Sequence, residues 1–493
     1  MIKRASGVLL PIFSLPGKYG IGTFGKEAYN FADFLLETKQ KYWQFLPLNP
    51  TSYGDSPYQS FSAFAINPYF IDLEMLIEKG YLKEEDCVEL AEPYSRKIDY
   101  GKEYYCRFKI LYKAYENAKG ELAEEVEKFR KKNRFWIEDY AQFMVLKNLH
   151  NGKGWYDWEE EYRLKNTKAI NKLKKEHKDE IDFYVYLQFF AFVQYAKLKG
   201  YINSLGIKVI GDIPIYVAFD SSDLWGKKDN FLLDENGNPT DVAGVPPDYF
   251  SKTGQLWGNP IYDYKKMEAD GFKWWKQRVK KCAELYDVLR IDHFRGIQAY
   301  WAVPFKETTA INGKWVIGPG MKLIDAIKSS AKNLDVIAED LGFLTEEVIE
   351  LKNKSGFPGL AIYEFGYNLG DDKFENSYLA ENVTENTVFY IGTHDNDTLN
   401  HFLEDEQNKE LLPLIYKNLK CDNVKDARLR MLENLSLSKA VLSIYTMQDL
   451  LDEGGEYRFN TPSVASGNWQ YRLPEDYASC ASLLLALTEK GKR

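Results

Sequence analysis

The chain has 493 residues, 45% hydrophobic and 28% charged, enough to bury a sizeable core and too apolar for a disordered segment. Its formal net charge of -9 argues against nucleic acid as a partner. No apolar stretch approaches the roughly 20 residues that span a bilayer, which argues against a membrane partner.

At the N-terminus, Lys3 and Arg4 precede an apolar run in the manner of a secretory signal. Pro11 and Ser14 break that run and no small-residue cleavage site follows, so the stretch reads as a first strand. Further short apolar runs follow, each trailed by helical periodicity. After Gly7–Phe13, the residues Phe24, Ala28, Phe31, Ala32, Leu35 and Leu36 share one helical face behind Thr23, a candidate N-cap. The next runs are Tyr42–Asn49, Lys208–Val217, Val288–Phe294, Asp335–Leu341, Gly359–Phe365, Thr387–Asp395 and Ala440–Leu451. Eight strands alternating with helices is the count of a (β/α)₈ TIM barrel, an α/β fold whose strands are buried on both faces.

Two intervals exceed simple connections. Residues 51–180 carry charged and aromatic helical patterns and read as inserted, mainly helical subdomains. Residues 218–263 are rich in Gly, Pro, Asp and Asn, with Trp225 and Trp257 embedded, and read as an irregular segment over an active site. The five cysteines (Cys87, Cys106, Cys282, Cys421, Cys480) are scattered and never form a CxxC pair, as expected of reduced thiols in the cytoplasm. The five histidines show no HxH or HExxH spacing, so neither a metal nor a cofactor is expected.

Three carboxylates stand at the ends of strand-like runs: Asp292 in VLRIDHFRG, Glu339 in VIAEDLG and Asp395 in FYIGTHDNDT. The C-terminal rim of a parallel barrel gathers such groups into one pocket. The strand period places Arg290 and Asp292 on one face, and a guanidinium beside a carboxylate favours the ionised, nucleophilic form. Glu339 has the longer reach and suits a general acid; its neighbour Asp340 points to the opposite face and reads as a strand-end or capping group. Asp395 can oppose the positive charge of an oxocarbenium-like transition state, with His394 donating to a sugar hydroxyl. Asp212 in GDIPIY suits either substrate hydroxyls or the support of Arg290.

The blocks TSYGDSPYQSFSAFAINPYFIDL, GDIPIYV, VAGVPPDYFSKTGQLWGNPIYDY, LRIDHFRG, VIAEDLG and GTHDNDT span nearly the whole chain. Together they resemble the 4-α-glucanotransferases, or amylomaltases, a branch of the α-amylase superfamily. The resemblance implies a barrel with inserted subdomains and no separate C-terminal β-domain. It also implies Asp292 as nucleophile, Glu339 as acid/base and Asp395 as transition-state stabiliser. Substrate contacts are implied for Tyr58, Asp212, Arg290 and His394, with Trp257 flanking them. The loop bearing Tyr249 and Phe250 is placed above the cleft, where the two rings offer apolar surface to an acceptor sugar. The expected partners are malto-oligosaccharides and α-1,4-glucans. The carboxylates alone leave two other readings open, a hydrolase of the same superfamily and a catalytically silent glycan-binding barrel.

Overall fold

The computed structural model describes residues 2–52, 54–247, 251–342, 344–371, 373–462, 464 and 466–493. Among the described residues there are twelve strands: β1 (Ala5–Leu9), β2 (Tyr42–Gln44), β3 (Lys208–Ile213), β4 (Asp241–Val245), β5 (Gln255–Pro260), β6 (Val288–Ile291), β7 (Ala299–Pro304), β8 (Lys314–Ile317), β9 (Asp335–Ala338), β10 (Gly359–Ile362), β11 (Thr387–Tyr390) and β12 (Leu442–Thr446). Eight of them form one sheet in the order β10-β11-β12-β1-β2-β3-β6-β9. Each pairing in that sheet is parallel. Its two edges approach each other, with the Ala338 N–H donating to the Pro358 carbonyl at 2.9 Å. The Asp340 carboxylate joins the same edges, accepting from the Leu360 N–H at 2.7 Å and from Lys352 at 2.7 Å. The result is the (β/α)₈ barrel, and each of the eight apolar runs supplies one of its strands. β6, β10 and β11 are buried along their whole length, because helices cover the outside while side chains fill the inside.

Between β2 and β3 the chain passes through a series of short helices before the helix Lys178–Ser204 returns it to the barrel. Two buried glutamines on that helix satisfy backbone groups of the inserted segment. Gln188 bonds both the N–H and the carbonyl of Ile66, each at 2.8 Å, and Gln194 does the same for Asp72 at 2.7 and 3.0 Å. A side-chain amide offers both donor and acceptor groups, so it replaces a missing strand partner for irregular buried backbone. No helix among the described residues is long and apolar enough to cross a membrane. After β12 the described residues form turns, short helical segments and the helix Ala481–Lys490, with no further strand.

Two expectations need correction. Thr23 does not cap the first long helix, which runs Lys26–Glu37 behind Gly25. Its hydroxyl instead donates to Asp72 at 2.6 Å, a carboxylate brought close only by the fold. Nor is the interval 218–263 irregular throughout. It contributes β4 and β5 to a four-stranded antiparallel sheet ordered β5-β4-β7-β8. β7 and β8 lie beyond the interval, and non-local pairing of such short strands leaves little local pattern.

Asp340, only 3% exposed, therefore helps to close the barrel. Asp340→Ala should cost about 2–3 kcal/mol by orphaning the Leu360 N–H and Lys352, read as a lowered thermal unfolding midpoint. Asp340→Asn, which keeps an acceptor, should lose less. An unchanged midpoint in Asp340→Ala would reject the closure role.

Candidate active site

Asp212 on β3 and Arg290 on β6 sit side by side in register. Asp212 is 0% exposed and Arg290 is 4% exposed. Arg290 Nη1 contacts Asp212 Oδ2 at 2.6 Å and Asp292 Oδ1 at 2.9 Å. The Tyr58 hydroxyl, from the inserted segment, donates to the same Asp212 oxygen at 2.9 Å. Burial works against the charge of Arg290, but Asp212 and Asp292 more than offset it and hold the guanidinium well above its ordinary range. Burial and the Asp292 charge push Asp212 toward its neutral form, against Arg290 and His394. Direct contact with a guanidinium that stays charged argues for the carboxylate, and that contact decides. Full burial also turns Asp212 toward supporting Arg290 and Tyr58, not toward open cleft.

Asp292 and Glu339 each follow their strand by one residue and keep the ladder going. The Asp292 N–H bonds Ile213 O and the Glu339 N–H bonds Ile291 O, both at 3.0 Å. Glu339 Oε2 accepts from the His293 N–H at 2.6 Å and Oε1 from the Leu341 N–H at 2.8 Å. Burial and the neighbouring Asp292 charge push the Glu339 pKa up, while Arg290 and the two N–H bonds pull it down, leaving it at about 7. His293 adopts φ 52°, the left-handed region, where a non-glycine residue costs on the order of 1 kcal/mol. Its backbone N–H is thereby aimed at Glu339. Burial pulls its own imidazole pKa down to about 4, so the ring is neutral at pH 7. Trp257, on β5, meets that ring edge-on with centroids 4.7 Å apart.

His394 and Asp395 lie on the turn after β11. His394 is 2% exposed and stacks on Tyr58 with centroids 4.9 Å apart and planes 18° apart. Its Nε2 lies 3.3 Å from Asp395 Oδ2, and its Nδ1 lies 3.4 Å from the Tyr58 hydroxyl. Burial lowers the His394 pKa, but Asp395 outweighs it and the net shift is upward. Partial burial would likewise raise Asp395; His394 and Asn460 overcome that and hold it well below the usual carboxylate range. The Asn460 amide donates to Asp395 Oδ1 at 2.7 Å, and Arg458 Nη2 donates to the Asp395 carbonyl at 3.1 Å.

Asp292, Glu339, Asp395, Arg290, Asp212, Tyr58 and His394 thus form one connected constellation, with Trp257 reached through His293. Tyr249 and Phe250 lie outside the described residues. Trp225 is buried, donates to the Tyr162 carbonyl at 2.9 Å and serves the core. Arg458, Asn460 and Trp469, whose ring lies 5.9 Å from His394, escaped the sequence reading. Their one local signal is the Asn/Pro/Gly-rich run RFNTPSVASGNW, which resembles any surface loop. A hollow of about 750 Å³ also lies beside the loop leading to Tyr58, between Ser52, Asp55, Tyr100, Tyr104 and Phe183. Aromatic rings are therefore presented by the inserted segment as well as by the barrel rim.

A family model described as 4-alpha-glucanotransferase matches residues 10–478. A 4-alpha-glucanotransferase of Clostridium butyricum is 47% identical over 467 residues, covering 94% of this chain and 95% of that one. One from Thermus thermophilus is 43% identical over 482 residues, covering 96% and 95%. Among solved structures, the amylomaltase from Streptococcus agalactiae in complex with acarbose matches with a TM-score of 0.95 at 37% identity, covering 100% of both chains. Sequence likeness and backbone likeness both extend across the inserted segments as well as the barrel, and on that basis the chain belongs to the 4-alpha-glucanotransferase family.

Proposed function

We propose that the protein moves α-1,4-glucan segments between malto-oligosaccharides by double displacement, with Asp292 as nucleophile, Glu339 as acid/base and Asp395 as transition-state stabiliser. The observation that carries this reading is the placement of Glu339 at the end of the strand next to that of Asp292, its carboxyl held by the His293 and Leu341 N–H groups. Burial and the Asp292 charge there push its pKa up to about 7. Two carboxyl groups with different environments divide acid and nucleophile roles between them.

In the first step Asp292 attacks the anomeric carbon of the donor. The glycosidic C–O bond breaks, and Glu339 gives its proton to the leaving oxygen. Arg290 holds Asp292 Oδ1 at 2.9 Å, so attack comes from Oδ2. Positive charge develops at the sugar ring and is met by Asp395, itself kept ionised by His394 and Asn460. The ester formed on Asp292 has no charge, which removes one cause of the raised Glu339 pKa. Glu339 then stays ionised after giving up its proton and can take the proton of an acceptor sugar hydroxyl. That hydroxyl attacks the same carbon and releases Asp292, so the configuration is retained. Tyr58, Arg290 and His394 flank the sugar in the donor site, with Asp212 supporting them from behind. Trp257, packed on His293 beside Glu339, offers a ring to the sugar that leaves or arrives. Acarbose is bound by the Streptococcus agalactiae amylomaltase, which supports a glucan-shaped cleft here. The free cysteines, four of them buried, support a reducing cytoplasmic setting.

Incubation with maltotriose separates transfer from hydrolysis. Glucose with a ladder of longer oligomers is the expected product; glucose and maltose alone would make the protein a hydrolase.

Glu339 gives a pH test. Its proton is lost as pH rises through about 7, so kcat/KM for natural donors should fall there. Glu339→Gln should slow natural donors by about 10²–10⁴-fold and abolish that falling limb, while donors with good leaving groups lose far less. Equal losses for both donor types would remove Glu339 from the acid role.

A further inference from the structure

The three rim carboxylates are not held alike. Asp292 and Glu339 are anchored by sheet hydrogen bonds through their own N–H groups, each at 3.0 Å. Asp395 lies five residues beyond the last residue of β11, its side chain is 51% exposed, and among the described residues its N–H finds only the Thr393 hydroxyl at 3.4 Å. A group on a turn loses its aim unless other contacts fix it, and stabilisation of developing charge depends on that aim.

The segment after β12 supplies those contacts. The guanidinium of Arg458 uses all three of its nitrogens: Nη2 to the Asp395 carbonyl at 3.1 Å, Nη1 to Asp397 Oδ2 at 3.0 Å, and Nε to the Asn460 carbonyl at 2.8 Å. Asn460 then bonds Asp395 Oδ1 at 2.7 Å. Asp397 is gripped from the other side by His401 at 2.7 Å. The buried carboxyls of Glu364 and Asp449 also face Asp397, and burial pushes both toward their neutral forms. A planar guanidinium bonded through three nitrogens has one orientation available, which lysine cannot reproduce.

We propose that Arg458 is a positioning residue for the transfer reaction. It locks the Asp395 peptide and, by fixing the Asn460 backbone, sets the amide that orients Asp395 Oδ1. This inference rests on the reading of Asp395 as the transition-state stabiliser.

The test compares Arg458→Ala, Arg458→Lys, Asn460→Ala and Asp395→Asn with wild type on an activated maltosyl fluoride donor, which reduces the demand on Glu339. Arg458→Ala should lose about 10²-fold in kcat with little change in KM. Its affinity for the protonated iminosugar 1-deoxynojirimycin, a mimic of the charged transition state, should fall alongside kcat. Added guanidinium should restore about tenfold of the lost rate in Arg458→Ala and none in wild type. Arg458→Lys should fall between the two, and Asn460→Ala should lose about tenfold in kcat whether or not Arg458→Ala folds. A wild-type kcat in either Arg458→Ala or Asn460→Ala, or a loss confined to KM, overturns the proposal. So does an Arg458→Ala defect that guanidinium leaves unrepaired while iminosugar affinity is unchanged. If Asp395→Asn is fully active, the reading of Asp395 itself has failed. If Asp395→Asn is inactive while Arg458→Ala is fully active, only the positioning role has.

Discussion

Arg290 is a permanent cation held almost entirely out of water, and the site is arranged around matching it. A buried guanidinium needs negative charge within direct contact, or the desolvation cost exceeds what packing returns. Asp212 supplies one partner from the neighbouring strand, in register, and Asp292 supplies the second from two residues along its own strand. Tyr58 then bonds Asp212 and stacks on His394, so the same charge pair draws the inserted segment down onto the rim. Loss of either carboxylate would leave a buried charge short of a partner. Asp292, the proposed nucleophile, is therefore part of the fold's electrostatic balance.

The same negative charge does a second thing. Asp292, while ionised, raises the proton affinity of Glu339, and burial adds to the effect. The N–H groups of His293 and Leu341 fix the carboxyl in place and restrain the shift. Asp395 is driven the opposite way by His394 and Asn460. Three chemically similar side chains thus occupy distinct electrostatic environments a short distance apart. The difference lies in their partners: a buried guanidinium for one, backbone amides and a like charge for another, an imidazole and a side-chain amide for the third.

The barrel by itself supplies a ring of strand ends. Its eight strands place Asp212, Arg290, Asp292 and Glu339, all on or directly after β3, β6 and β9. The remaining contacts come from additions: Tyr58 from the insertion after β2, Trp257 from the antiparallel sheet, Arg458, Asn460 and Trp469 from the segment after β12. The rigid scaffold sets the strand-end carboxyls, and the connecting segments shape what can approach them.

By itself the sequence determined the eight barrel strands, because each is a continuous apolar run and burial on both faces leaves that signature in one dimension. It also determined the three rim carboxylates and the Arg290–Asp292 alternation, since each sits in a polar cluster directly at or just after an apolar run. The motif blocks carried the family, and with it Tyr58 and Trp257, which no periodicity marks. Only the tertiary structure decided the rest. β5 pairs with its neighbour β4, but β4 also pairs with β7 from residues 299–304, a partner invisible locally. Thr23 caps no helix because Asp72, 49 positions away, accepts its proton instead. Asp212, which the sequence offered for sugar hydroxyls or for support of Arg290, proved wholly buried against Arg290 and Tyr58. Arg458 and Asn460, more than sixty positions from Asp395, meet it only because β12 lies beside β11 in the sheet. Short-range pattern records which face of an element is buried; which charge meets which is set by the closure of the barrel.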